Sequence, residues 1–339
     1  MTGPLVFALV FMVSGLLANL CFGAQNMAPA DVFVALFSPN PDNYEHFVVQ
    51  TQRMPRIWIA VYTGGVMAIG GAVLQSLSRN PMASPQILGI NAGASLFVVV
   101  GVVLFGLSPH TAPGVQAGLA LLGGLAGFVG CVLVARVTAE SGDPRGLGLV
   151  LSGVILSALF SGVANTLLLT DPHVRAELLN WLAGNINHVY ADRLYHLWWL
   201  GAGSTLVLLF LARALTLVSL GRDTAASAGV AILPVTYLGL AAVVVGASSA
   251  VAICGPVGFI GLVVPHMVRP FTGNLLSRQL PVCAVVGAGV CLWADVAARL
   301  VFKPYVLHTG VMMDLLGGVV FVWIVRRHYF QSRNSERAG

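Results

Sequence analysis

Charge is what this chain has least of. Asp, Glu, Lys and Arg together make up 9% of its 339 residues, against about 25% in soluble domains, and the mean hydropathy is +0.88. The shortage excludes an ordinary water-soluble globule and indicates a polytopic integral membrane protein. Lysine is scarcer still: Lys303 is the only one, and Phe302 precedes it. A P-loop needs Gly-Lys followed by Ser or Thr, because the lysine reaches the phosphates. The chain therefore holds no standard nucleotide-hydrolysing site, and energy for any transport must come from a partner or an ion gradient. HExxH, GxSxG and Cys-His pairings are also missing, so no catalytic residue is assigned and an intramembrane enzyme is disfavoured. Cys21, Cys131, Cys254, Cys283 and Cys291 form no CxxC or Cys/His cluster. They read as small apolar residues, with no metal ligands and no cofactor on this chain. Linker-like stretches are lacking, so residues 1–339 are expected to form a single transmembrane domain. The net charge of +5 comes from scattered basic residues with no aromatic-studded stripe, which gives no case for nucleic acid.

Long apolar runs are abundant. A span needs about 20 mainly apolar residues to cross about 30 Å of hydrocarbon. That window predicts ten helices, at about 4–23, 56–77, 87–107, 115–136, 146–169, 196–219, 233–253, 258–273, 280–301 and 309–326. The first is read as a retained span: no Lys or Arg precedes it, Phe22-Gly23-Ala24 is a poor cleavage site, and Leu20 is wrong for lipidation at Cys21. Placing both termini in the cytoplasm puts eleven arginines inside and six basic residues outside, as the positive-inside rule requires. The short-spaced glycines of 63–73 and 118–130 predict close helix packing. Residues 25–55 and the amphipathic 171–187 are expected to be ordered outside segments.

Ionisable residues inside spans are costly and are functional candidates by default. Asp295 and Arg299 stand four apart on one helix and can neutralise each other. Asp314 has no local partner; a water-filled path, a hydrogen bond across helices and a proton relay all stay open. The eighth window, VGFIGLVVPHMVRPFTG (257–273), carries Pro265, His266, Arg269 and Pro270. Proline in a helix interior costs roughly 3 kcal/mol, so this span is predicted to be short, bent and covered by protein. His266 there can make a packing hydrogen bond or a path contact. The loop 220–235 starts with charge and continues with small residues, as expected of a short exposed helix or a turn.

Several segments, in order, resemble the FecCD family, the permease subunits of bacterial ABC importers for iron-siderophores, haem and cobalamin. They are RMPRIWIAVYTGGVMAIGGAVLQSLSRNPMASPQILGINAGAS (53–95), LVLSGVILSALFSGV (149–163), WLAGNIN (181–187), GRDTAASAGV (221–230), GPVGFIGLVVPHMVRPFTG (255–273) and ADVAARL (294–300). The resemblance implies a ten-span subunit that dimerises, with a second copy or a related chain, around a translocation path. It implies a cytoplasmic pair of ATP-binding subunits and a periplasmic or lipid-anchored binding protein. By position it implies that Asn165, Thr166, His266 and Asp314 line the path. Arg222, Asp223, Ala226 and Gly229 lie on or beside the ATPase-coupling helix, in a loop at about 220–232. Arg53, Arg56 and Arg299 can pair with carboxylates of the binding protein, Arg299 in competition with its Asp295 pairing. The tenth span departs from the family pattern: His308 and Val319 stand where prolines are usual, and Asp314 where a small neutral residue is usual. The expected activity is import of a ferric siderophore across the bacterial inner membrane, with haem or cobalamin next. The competing class is a proton-coupled secondary transporter that uses Asp314.

Overall fold

Burial of backbone polar groups in hydrocarbon leaves helices as the available answer to so apolar a chain. A computed structural model describes residues 2–23, 26–40, 42–107, 113–138, 147–302 and 305–337, all helix or connection with no strand among the described residues. Arg145 and Lys303, both counted in the orientation above, and the Arg222 side chain fall outside this description. The chain runs through α1 (Thr2–Cys21), α2 (Pro29–Phe37), α3 (Tyr44–Val48), a π-helical turn (Val49–Arg53) and α4 (Met54–Ser78). It continues through α5 (Ile90–Phe105), α6 (Pro113–Thr138), α7 (Leu147–Leu168), α8 (Pro172–Leu182), a 3-10 turn (His188–Tyr190) and α9 (Ala191–Leu220). Then come α10 (Arg222–Ser227), α11 (Ile232–Cys254), α12 (Ile260–Thr272), α13 (Leu276–Leu300) and α14 (Thr309–Arg337).

A helix lies over each apolar window, but the helices are not equal. Those of α1, α4, α6, α7, α9, α11 and α13 are long and apolar enough to cross a bilayer. At 1.5 Å per residue, the 16 residues of α5 and the 13 of α12 reach only about 24 and 20 Å, short of about 30 Å. The apolar part of α14, Thr309–Val322, is short as well.

Three helices form the centre. The apolar windows of α4, α11 and α13 are 78%, 72% and 61% buried, whereas α1, α6, α7 and α9 lie between 22% and 33%. In α4, Gly64 meets the backbone of Gly287 on α13, and Gly71 meets that of Gly261 on α12. Any Cβ at these points would overlap backbone atoms, so the glycines set how closely the helices approach. The second glycine-rich run works the same way, Gly123 and Gly127 of α6 lying on Gly93 and Gly89. The outer row of α7 (Leu151, Val154, Ile155, Leu159) and that of α14 (Val311, Leu315, Val319, Val322) stay exposed in the single chain.

Outside the long helices, α8 begins with Asp171 accepting hydrogen bonds from the His173 and Val174 backbone N–H groups at 2.9 and 3.2 Å, a strong N-cap. It lies along the surface as an amphipathic helix, with Leu178 and Trp181 fully or almost fully buried on its inner face.

Candidate functional site

The two short helices are short for the same reason, because each gives part of its length to irregular chain. Cys254, the last residue of α11, lies beside Thr63 of α4 (Sγ to Oγ1, 3.5 Å), fifteen residues and about 22 Å from the Ser78 end of that helix. Gly261, at the start of α12, lies on Gly71, only about 10 Å from that end. Residues 255–259 therefore bring the chain back by about 12 Å without forming helix. From the other side, the turns at 79–89 leave α4 at its Ser78 end and climb until Pro85 packs on Gly70 and Gly261. The two irregular segments meet near mid-depth. Irregular backbone survives there only where protein or a cavity serves its polar groups.

The groups that serve it are identifiable. The Phe259 N–H donates to Gln86 Oε1 at 3.0 Å, and Asn91 Nδ2 donates to the Val257 carbonyl at 3.4 Å. Phe259 has φ +59°, a left-handed conformation that is rare for a bulky residue. Its ring packs on Gly317 of α14. At Gly258 the Asp314 carboxylate and the Gln86 carboxamide both crowd the place a Cβ would occupy. Asp314 remains exposed to the outside of the single chain.

Within α12, Pro265 has no N–H for the carbonyl four residues back, that of Gly261. Gln75 of α4 takes over, donating from Nε2 to the carbonyls of Gly261 and Leu262 at 3.2 and 3.1 Å. Span eight is thus short, and Ile260 to Pro265 are buried. His266 is half-buried, with Nδ1 2.9 Å from the Leu262 carbonyl oxygen. Above α12, the segment after α8 straps the crossing. Asn185 N–H donates to the Cys254 carbonyl at 2.8 Å, and Gly310 N–H to the Gly184 carbonyl at 2.6 Å. His308 Nε2 lies 2.8 Å from Asn180 Oδ1.

At the Met54 end the three arginines expected to face a binding protein lie largely inside. Arg53 is 5% exposed and donates to the Leu20 carbonyl. Asp295 is fully buried. Its Oδ1 is 2.6 Å from Arg56 Nη2 and accepts from Thr309 Oγ1 at 2.8 Å, while its Oδ2 is 3.2 Å from Arg299 Nη2. Arg299 also donates to the Phe22 carbonyl at 3.0 Å and to Asn19 Oδ1. Asp295 and Arg299 therefore do pair, but in a larger network that joins α1, α4, α13 and the start of α14. Arg193, which the sequence places outside the sixth window, is also buried. It stacks 4.8 Å from the Tyr190 ring centroid and bonds Gln116 Oε1.

The remaining expected residues lie apart from the crossing. Asn165 and Thr166 are exposed near the end of α7, Thr166 Oγ1 donating to Gly162 O at 2.8 Å. Arg222, Asp223 and Ala226 fall on the six-residue α10, and Gly229 (φ +74°) turns the chain after it. Asp223, Ala226 and Gly229 are exposed, while Ala225 seats the helix from below. Sequence reasoning missed Gln75, Gln86, Gln116 and Arg193. An amide inside an otherwise apolar window was the available signal.

Comparison with known proteins places this arrangement. The profile of the FecCD transport family matches residues 9–327. The chain belongs to the FecCD transport family. Among FecCD relatives, the ferric enterobactin transport system permease of Escherichia coli is 34% identical, covering 94% of this chain and 93% of its own. The Fe(3+) dicitrate transport system permease FecD of the same organism is also 34% identical, over 94% and 98%. Other relatives are hydroxamate and hemin permeases. A metal-chelate type ABC transporter solved in an inward-facing conformation superposes with TM-score 0.78 at 25% identity, covering 95% of this chain and 98% of that one. These FecCD relatives are transport permease subunits, not enzymes, and the chain is accordingly a permease of the ABC importer kind. The seven long apolar helices among the described residues suit a multi-pass membrane protein.

Proposed function

We propose that this chain is the membrane permease of a ferric-siderophore importer in a bacterial inner membrane, working by alternating access. In this reading the whole chain is one domain that crosses the membrane ten times, α5, α12 and α14 included, with both termini and the Ser78 end of α4 in the cytoplasm. Two permeases, either two copies of this chain or this chain and a related one, enclose the path. The exposed faces of α7 and α14, with Asn165, Thr166, His266 and Asp314, line it. Two ATP-binding subunits press on Arg222, Asp223, Ala226 and Gly229, and the closure passes as a rigid-body push. A periplasmic or lipid-anchored binding protein docks at the Met54 end, over Arg53, Arg56 and Arg299. No cofactor is assigned to this chain.

The observation that carries the reading is the meeting of two interrupted helices near mid-depth, beside the exposed side of α14, in a chain of this family. Transport sites in membrane proteins are built from such discontinuous helices. The test is reconstitution into liposomes. Uptake of a radioiron siderophore requires the ATP-binding subunit, ATP and the binding protein, and stops when any one is left out. Uptake by the permease alone under a proton gradient would overturn the reading in favour of a secondary transporter. Haem and cobalamin, tried in the same assay, decide the substrate.

A further inference from the structure

Asp314 is a charge placed where the rest of its helix is apolar. The residues on its exposed side, Val311, Leu315 and Leu316, are 41%, 52% and 43% exposed. Among the described residues the Asp314 carboxylate has neither an ion pair nor a hydrogen bond, unlike Asp295, which has both. An unpaired carboxylate at membrane depth is costly to keep. Its position is nevertheless defined: Oδ1 rests against Gly258, beside the Gln86 carboxamide, because Gly258 has no side chain to displace it. Gln86 in turn is held by the Phe259 N–H. The negative charge therefore stands at the crossing of the two irregular segments, on a residue exposed at the surface of the single chain.

We propose that Asp314 is a charge filter that selects among iron chelates, admitting neutral and cationic ones over anionic ones. This rests on the reading of the exposed side of α14 as the path wall. Each copy of the chain contributes one carboxylate. The chemistry of iron chelates supplies the distinction it reads. Three hydroxamate monoanions neutralise Fe(III), and an added ammonium arm makes the complex positive. Catecholate dianions and citrate leave the complex negative. At an effective dielectric of about 20 and a separation of roughly 10 Å, one unit of ligand charge changes the stability of the complex at the filter by about tenfold. The inference is thus a hydroxamate-like substrate class, with Gln86 offering an amide for hydrogen bonds to the ligand.

The experiment uses the complete transporter, permease with its ATP-binding subunit and binding protein, in liposomes. Three radioiron tris-hydroxamates of one scaffold are compared, ending in an ammonium, a neutral or a carboxylate group, each saturating the binding protein. Wild type is expected to take them up in that order, falling by at least about tenfold per charge step, the figure for a single carboxylate. Asp314→Asn is expected to level the series, and Asp314→Glu to keep it. Because each protein's rates are read relative to its own rate for the neutral chelate, the comparison does not depend on how much of a variant folds. Equal rates for the three chelates in wild type overturn the filter while leaving the importer reading intact, as does an Asp314→Asn protein that keeps the wild-type ordering. No ATP-dependent uptake of any chelate overturns the importer reading, and the filter with it.

Discussion

Removing the Asp295 carboxylate should cost this protein far more than removing the whole charged cluster around it. Asp295 is fully buried, and the guanidiniums of Arg56 and Arg299 are 2.6 and 3.2 Å from its oxygens. Asp295→Ala leaves two positive groups facing each other with no anion between them, and frees Thr309 at the start of α14. Breaking a buried pair by deleting one partner costs about 3–5 kcal/mol. The arginine side chains keep 14% and 11% exposure, so water relieves part of the strain and the low end, about 3 kcal/mol, is expected. At roughly 2 °C per kcal/mol for a chain of this size, the melting point in detergent falls by about 6 °C. Size-exclusion chromatography of heated aliquots measures it. The triple change Arg56→Met, Asp295→Leu, Arg299→Met leaves no charge unpaired and should regain at least half of that loss. An Asp295→Ala protein that melts within about 1 °C of wild type, or a triple variant worse than the single, would refute the reasoning.

Three further outcomes are expected. Gln75→Leu strips the Gly261 carbonyl of the donor that Pro265 cannot provide, an unsatisfied buried acceptor worth about 1–3 kcal/mol; the same melting assay should show a fall of several degrees. Gly71→Val forces α4 away from the Gly261 backbone, whereas Gly118→Ala points into open space; the yield of monodisperse protein should collapse for the first and hold for the second. Ala226→Arg alters only the exposed side of α10, so the permease should stay folded by chromatography yet lose co-purification with its ATP-binding subunit.

The sequence disclosed what is local. Apolar windows located the long helices, the eighth window was already the shortest although its helix runs unbroken through both prolines, and glycine spacing marked the close contacts at Gly64, Gly71, Gly123 and Gly127. What stayed hidden depends on pairs distant in sequence. Arg56 and Asp295 are 239 positions apart, and nothing in either segment names the other, so Arg56 looked like a charge free for a partner protein, whereas Arg299, four residues from Asp295, was already matched to it. Gln75 and Gln86 gave no periodic signal, because a single amide in an apolar run has the same pattern whether it faces lipid or repairs a broken helix. Arg193 fell outside its window only because charge trims the edge of a hydropathy plateau. The helix α9 itself starts before it.

The Gln75–Pro265 arrangement bears on how the chain is made as well as how it holds. A 13-residue segment with two prolines and an arginine in its last turn is a poor candidate for release into lipid by itself, being too short to cross about 30 Å of hydrocarbon. Its receptor is synthesised first. By the time α12 leaves the ribosome, α4 is already in the bilayer, with Gly71 clearing a seat and Gln75 presenting the missing donor. The chain order thus delivers α4 before the helix it serves, and a permuted chain that produces α12 before α4 is expected to assemble less efficiently.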